Sequence, residues 1–185
     1  MKKIALLVLV GMMVVGAWAI SCPAEEKAAG APVVAEAPKI LGVGDKVADF
    51  KLADGLTGKE VSFGKDFLGK SKLLAISFMN TSCSACNAEV RLLSVLARKN
   101  PDLKVIAMAV DSRGEAMVKG YNENNKFNVS YVLDPEFTQP RRYGFNYTPG
   151  LILADSAGKI VVVKGGFNPV ADGDMLRKEI ESRLK

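Results

Sequence analysis

Leu73-Leu74-Ala75-Ile76-Ser77-Phe78-Met79 is followed, after a three-residue turn, by Cys83-Ser84-Ala85-Cys86 and then by a helix-like stretch that ends at Lys99. The apolar run predicts a buried strand, and the cysteines stand where the next helix should begin. A sulfur at a helix N-terminus is favoured as the thiolate, because unpaired N–H groups and the helix dipole stabilise negative charge there. A thiolate attacks disulfides, and a second sulfur one turn further on can close the ring and release the product. The stretch therefore predicts a reversible two-electron redox site.

The composition of the 185-residue chain excludes several classes of site. There is no histidine, which rules out Ser-His-Asp and Cys-His catalysis within the chain, as well as zinc or copper sites that use histidine ligands. The net charge of +5 is mild and no basic run carries interleaved aromatic residues, so we expect no nucleic-acid partner. Three cysteines, two of them in one motif, do not form the pattern of a disulfide-stapled secreted domain.

Residues 1–22 have the pattern of an export signal, in which two lysines precede the uncharged, mostly apolar run from Ile4 to Ile20. Three fates stay open for this segment: cleavage at Ala17-Trp18-Ala19, lipidation of Cys22, or retention as a membrane span. Lipidation is considered because the residues that end at Cys22 resemble a bacterial lipobox. Each fate places the protein outside the cytoplasm, in a bacterial periplasm or on the outer face of a membrane.

Three regions follow from the pattern along the chain: the export segment, a flexible tether at 23–39 and a folded domain at 40–185. The tether is rich in alanine, proline and glutamate and has little that could pack. Strands are predicted at 48–52, 60–63, 73–79, 103–110, 130–133, 151–154 and 159–163, and helices at 84–99, 115–126, 136–143 and 169–185. This order predicts an α/β sandwich with a mixed central sheet flanked by helices.

Two further residues bear on the predicted redox site. Pro149 directly precedes a predicted strand and can be cis, although only about 5–6% of X–Pro bonds are cis and an ordinary trans proline is the simpler interpretation. Glu89 lies three residues after Cys86, inside the apolar arc of the predicted helix. A carboxyl there would be desolvated, its pKa would rise, and it could exchange a proton with Cys86. The alternative is a glutamate at the edge of the arc that reaches water, and the position favours neither.

These features together resemble a known family. The Cys-x-x-Cys motif after a strand, Tyr147-Thr148-Pro149 before a hairpin strand and an Asp-x-x-Gly turn in that hairpin resemble the thioredoxin fold. Three further features point to one group within this fold: Gly42-x-Gly44-Asp45, the segment from Ala48 to Leu52, and a glutamate three residues after the second cysteine. They are similar to the bacterial envelope thiol-disulfide oxidoreductases of the TlpA/ResA type, which are AhpC/TSA-TlpA-like redoxins. The resemblance covers about residues 40–185.

The resemblance implies a role for each matching residue. Cys83 would be the attacking thiolate and Cys86 the resolving thiol. Pro149 would be a cis-proline beside them, with the backbone of Thr148 pairing to an extended substrate segment. Glu89 would match the active-site acid of the family.

The resemblance also implies partners. Proteins of this type keep the thiols of partner proteins reduced outside the cytoplasm, notably apocytochrome c before haem attachment. They are usually re-reduced by a membrane protein. We expect protein disulfides as substrates, a membrane disulfide reductase as electron donor and no cofactor.

Three departures from the family pattern bear on the redox potential and the partner. Ser82 stands where tryptophan often precedes the first cysteine, and the dipeptide Ser84-Ala85 lacks the usual proline. Ser77 stands where thioredoxin itself has a buried acid, six residues before the first cysteine.

Other functions of the motif stay open as alternatives. Two thiolates can hold Cu(I), but copper chaperones of this fold add a distant histidine, and Met79 and Met108 are expected in the core rather than as ligands. A peroxiredoxin-type peroxidase needs threonine or serine three residues before its attacking cysteine, where this chain has Asn80. A purely structural disulfide would close too small a loop to stabilise the fold much.

Overall fold

Strands and helices alternate through residues 39–185, the part of the chain that the computed structural model describes. The predicted export segment (1–22), the tether (23–39) apart from Lys39, and the predicted lipidation site Cys22 lie outside the described residues. No helix within 39–185 has both the length and the apolar character that crossing a membrane requires.

Seven strands of the described region form one mixed sheet. They are β1 (Lys51–Asp54), β2 (Glu60–Ser62), β3 (Leu73–Met79), β4 (Leu103–Ala109), β5 (Ser130–Leu133), β6 (Gly150–Asp155) and β7 (Ile160–Gly165). Their order across the sheet is β2-β1-β5-β4-β3-β6-β7. β3, β4 and β5 are mutually parallel, whereas β1, β2, β6 and β7 pair in the antiparallel sense. The predicted α/β class with a mixed sheet is confirmed.

Helices connect these strands within the same region. They are α1 (Ser84–Lys99), α2 (Glu115–Asn125), α3 (Thr138–Arg141) and α4 (Pro169–Leu184), with a π-helical turn at Phe63–Phe67 that the sequence patterns did not predict. The helix predicted at 136–143 is a single turn. It cannot begin earlier, because Phe137 has a φ of 56°, in the left-handed region.

The first strand lies two to three residues later than the prediction of 48–52. Its register is set by its neighbours, since Ala53 pairs with Leu133 of β5 and Lys51 pairs with Ser62 of β2. Such pairing is a tertiary contact, which the local pattern does not contain.

Each of the seven residues of β3 is buried, because β3 is central and both faces of the sheet are covered. Leu74 and the next two even-numbered residues pack in an aromatic-rich cluster on one face. Leu73 and Ala75 pack on the other face, against apolar residues of α1 and α4. Successive strand residues point to opposite faces, so Ser77 lies on the side of α1 and α4.

One edge of the sheet gathers the loops that carry the predicted site. β3 and β4 are parallel with their last residues paired, so the loops bearing Cys83 and Asp111 leave the sheet at the same edge. β6 is antiparallel to β3 and begins at Gly150, opposite Phe78. The residue before it, Pro149, therefore lies at this edge too.

Candidate active site

Cys83 and Cys86 form a disulfide at the start of α1. Cys83 is the N-cap residue with extended backbone, and its sulfur accepts a hydrogen bond from the backbone N–H of Cys86 at 3.1 Å. Cys83 is partly exposed, whereas Cys86 is fully buried. The predicted placement of the pair at a helix start is confirmed, and Cys83 is the residue of the pair that solvent reaches.

The loop before Cys83 is held by a carboxylate that the sequence reasoning missed. Asp111 is 4% exposed and accepts hydrogen bonds from the backbone N–H of Thr81, at 3.0 Å, and from its hydroxyl, at 2.6 Å. Asn80 accepts a further hydrogen bond from the N–H of Ser82 at 2.9 Å. Asp111 lies in the loop after β4, and the cysteines lie after β3. Because β3 and β4 are parallel, both loops leave the same edge of the sheet, and this parallel order could have predicted that Asp111 is near the cysteines.

Pro149 is preceded by a cis peptide bond, as the family resemblance implied. Its carbonyl oxygen accepts a hydrogen bond from the N–H of Gly166 at 2.8 Å, which ties the proline loop to the end of β7. The register of β3 with β6 brings this loop to the sheet edge that carries the cysteines.

Two glycines allow the proline loop to pack closely. A Cβ atom at Gly150 would lie 2.8 Å from the ring of Phe145, and one at Gly165 would lie 2.5 Å from the hydroxyl of Tyr147. At Gly150 the ring of Phe145 leaves no room for a side chain, whereas at Gly165 a larger residue would displace the hydroxyl end of Tyr147. Tyr147 itself is 54% exposed and lies beside Thr148.

Glu89 is fully buried, which excludes the alternative that its side chain reaches water. It lies on α1, one turn after Cys86, and its Oε1 accepts a hydrogen bond of 2.7 Å from the hydroxyl of Ser77. Within the described residues, Oε2 has no hydrogen-bond partner. Burial raises the pKa of Glu89 to about 7, against the opposing effects of the Ser77 hydrogen bond and the positive charge of Lys164. Proton exchange between Glu89 and Cys86 stays a prediction.

An ion pair faces Glu89 from β7 and α4. The ammonium of Lys164 and the carboxylate of Asp172 are 3.1 Å apart and partly exposed, and the ammonium also donates to the carbonyl of Gly166 at 3.1 Å. The N–H of Asn168 and the ammonium of Lys164 lower the pKa of Asp172. The positive charge of this pair lowers the pKa of Glu89 and its negative charge raises it. The sequence reasoning did not connect this pair with the site.

A groove of about 310 Å³ borders the cysteine loop on the side of α2. It is lined by both polar and apolar side chains, among them Ser82, Met117 and Tyr121. The groove therefore lies next to Ser82, the residue before Cys83. Within residues 39–185, no three Cys, Asp, Glu or His side chains are grouped so that they could hold a metal ion.

The site can perform dithiol–disulfide exchange. An accessible sulfur at a helix N-terminus can attack, a buried sulfur one turn on can resolve, and a buried carboxyl with a pKa near 7 can accept or donate a proton.

Known proteins with a similar chain support the thioredoxin-like fold. A Haemophilus influenzae protein named thioredoxin-like protein is 29% identical over 106 residues, which are 57% of this chain and 62% of that protein. A structure of a candidate thiol:disulfide interchange protein DsbE from Chlorobium tepidum has a TM-score of 0.69 and 23% identity, over 78% of this chain and 99% of that one. The thioredoxin domain of a Bacteroides vulgatus thiol-disulfide oxidoreductase has a TM-score of 0.63 and 25% identity, with the same coverage.

The chain spans about 62% of the length of the curated relative it matches, so the likeness does not extend over that whole protein. A broader relationship comes from the model of the AhpC/TSA family, which matches residues 43–163. This region includes the cysteine pair, Glu89 and the cis-proline loop. Because the match covers more than half of the chain, the protein belongs to the AhpC/TSA family.

Proposed function

We propose that the protein is a thiol-disulfide oxidoreductase that acts on protein disulfides outside the cytoplasm. The observation that carries this proposal is the disulfide between the partly exposed Cys83, at the start of α1, and the buried Cys86, beside a cis-proline loop. Proteins with a similar fold include thiol-disulfide oxidoreductases. The export-type pattern of residues 1–22 supports the location, and Cys22 would supply a membrane tether if it is lipidated.

The proposed mechanism in the reducing direction has two exchange steps. The Cys83 thiolate attacks a substrate disulfide, which forms a mixed disulfide and releases one substrate sulfur to take up a proton. Cys86 then gives its proton to the Glu89 carboxylate, and its sulfur attacks Cys83. This step breaks the mixed disulfide, releases the second substrate sulfur and forms the Cys83–Cys86 disulfide. Two electrons pass from the thiolate–thiol pair to the substrate. One released substrate sulfur takes a proton from water, and the other takes the proton that Glu89 received from Cys86.

The surroundings of Cys83 support a reducing rather than an oxidising role. A strong dithiol oxidant depends on extra stabilisation of its reduced form. The Cys83 sulfur accepts a hydrogen bond from the backbone N–H of Cys86. The carboxyl of Glu89, one turn after Cys86 on α1, disfavours further negative charge at the pair when it is ionised. A reductant outside the cytoplasm needs a membrane electron donor. Reduction of a disulfide in apocytochrome c during cytochrome c maturation, or of disulfides in other envelope proteins, would use such a chain of electron transfer.

The reduction potential of the Cys83/Cys86 pair tests this direction. We expect a value near or below about −270 mV, as for reducing thioredoxins. Titration against dithiothreitol, with alkylation of free thiols as the readout, measures it. A value near about −120 mV would instead indicate a protein that makes disulfides. A pair that never closes into a disulfide would contradict the redox function and leave Cu(I) binding as the leading alternative.

Substitution of Cys86 by alanine is expected to trap protein substrates. Without the resolving sulfur, the mixed disulfide between Cys83 and its partner persists and shifts to higher mass on a non-reducing gel. The double variant with Cys83→Ser is the control, because it cannot form the adduct. Absence of any adduct, when the same variant is labelled by a small disulfide reagent, would argue against protein substrates.

The peroxidase alternative finds no hydroxyl where it needs one. The residue three positions before Cys83 is Asn80, whose side-chain oxygen accepts the hydrogen bond from the Ser82 N–H. We therefore propose no peroxidase activity for Cys83. Consumption of hydrogen peroxide by the reduced protein, faster than by its Cys83→Ser variant, would overturn this conclusion.

A further inference from the structure

Ser77 is the one polar residue in the sequence of β3, and it is fully buried. A hydroxyl in such a place costs free energy unless it makes a hydrogen bond. Ser77 makes its hydrogen bond to Glu89, across from β3 to α1, at 2.7 Å. The residue at this strand position thus contacts the buried carboxyl behind the cysteine pair directly.

The two oxygens of Glu89 have different surroundings. Oε1 accepts from Ser77, whereas Oε2 has no partner among the described residues. A buried, unpartnered oxygen is more stable when it carries a proton than when it carries charge. The charged groups that face Glu89 are Lys164 on β7 and Asp172 on α4, which are paired with each other. Neither donates a hydrogen bond to Glu89, so Ser77 is the residue that makes its two oxygens inequivalent.

We propose that Ser77 is a positioning residue for proton exchange in the resolving step: its hydroxyl occupies Oε1 of Glu89, so that Oε2 takes the proton of Cys86. This inference rests on the proposed dithiol mechanism. The hydroxyl has a second effect, because a hydrogen bond to the carboxylate lowers the pKa of Glu89 and keeps part of it ionised near neutral pH. In this chain Ser77, on β3, therefore supports the acid Glu89, which lies on α1.

The resolving step can be observed separately from the first attack. Reduced protein that carries Cys22→Ser, so that no thiol outside the pair reacts, is mixed with dithiobis(nitrobenzoate), an aromatic disulfide whose thiolate product is coloured. Attack by Cys83 releases one nitrothiobenzoate, and attack by Cys86 on the mixed disulfide releases a second, so stopped-flow absorbance gives two phases. The Cys86→Ala variant, which has no second attack, identifies the phases.

We expect Ser77→Ala to slow the second phase roughly tenfold at pH 7 and to shift its pH midpoint upward, because less of Glu89 is ionised. The first phase should be unchanged within about twofold, since Ser77 does not contact Cys83. Ser77→Thr should restore the second phase, because threonine keeps the hydroxyl.

Ser94→Ala is the matched control. Ser94 is also buried, on α1, and its oxygen accepts a hydrogen bond of 2.7 Å from the N–H of Asn128, away from the cysteines. Its loss should lower stability by a similar amount and leave both phases unchanged. A second phase that slows equally in Ser94→Ala would reduce the role of Ser77 to structural support and overturn the inference.

Other outcomes separate this inference from the proposed function. One such outcome is that Glu89→Gln slows the second phase while Ser77→Ala leaves its wild-type pH profile unchanged. This result would overturn the role of Ser77 and keep the role of Glu89 in proton exchange. Absence of a second release in the wild-type protein overturns the dithiol mechanism itself, and the inference with it.

Discussion

Replacing Cys83 with serine is expected to abolish disulfide reduction, to the rate measured without protein. Cys83 is the residue of the pair that solvent reaches, since Cys86 is fully buried. A serine hydroxyl in its place is not ionised at neutral pH, so no nucleophile remains to attack a substrate disulfide. The turbidity assay for insulin reduction, with dithiothreitol as electron donor, measures the effect.

The third cysteine of the chain provides a matched control. Cys22 lies outside the motif, so Cys22→Ser should reduce insulin at the wild-type rate. Both variants remove one sulfur and add one hydroxyl. A difference between their rates of insulin reduction is therefore due to which cysteine is replaced. A Cys83→Ser protein that still reduced insulin would contradict the mechanism.

Replacing Glu89 with glutamine is expected to change how stability depends on pH. Burial raises the pKa of Glu89 from 4.5 to about 7, so the native protein keeps this proton in a range where the unfolded chain releases it. The contribution to stability is therefore complete below pH 4.5 and is lost as the pH rises through 7. From the size of the shift, the loss is about 3 kcal/mol. The glutamine does not ionise, so the variant lacks this loss.

The measurement is the free energy of unfolding in urea at a series of pH values, followed by circular dichroism on the oxidised protein. In the oxidised state neither cysteine titrates. The wild type should become less stable relative to Glu89→Gln by about 3 kcal/mol from about pH 4 to pH 8. Glu181→Gln, which changes an exposed glutamate of α4, controls for the change in net charge. If the difference in unfolding free energy between wild type and Glu89→Gln were the same at every pH, burial would not raise the pKa of Glu89.

Much of the site was predictable because it is local in the sequence. The bounds of α1 at 84 and 99 follow from the N-cap position of Cys83 and from Asn100, which caps the last turn and precedes a proline. The apolar run of β3 predicts a buried strand, and this prediction does not require knowing which strands lie beside it. The Cys-x-x-Cys motif and its position at a helix start are contained in one short stretch.

Other features were not predictable because they depend on strand pairing. The burial of Glu89 is decided by the packing of α1 and α4 on the sheet. A helical wheel shows only that Glu89 lies within the apolar arc of the helix, and does not show whether its carboxyl reaches water. The partnership of Ser77 with Glu89 joins residues on different elements, as does the anchoring of Thr81 by Asp111. Sequence marks each of these residues as polar but does not say which one it contacts.

By itself, the sequence determined the fold class, the dithiol and the helix start that carries it, because these depend on local periodicity and spacing. Only the tertiary structure decided that β3, β4 and β6 bring Cys83, Asp111 and Pro149 to one edge of the sheet. It also decided that Glu89 is sealed from water beside Ser77. The physical reason is that burial and hydrogen-bond partnership are set by chain segments that are distant in sequence, and these determine how a carboxyl group titrates.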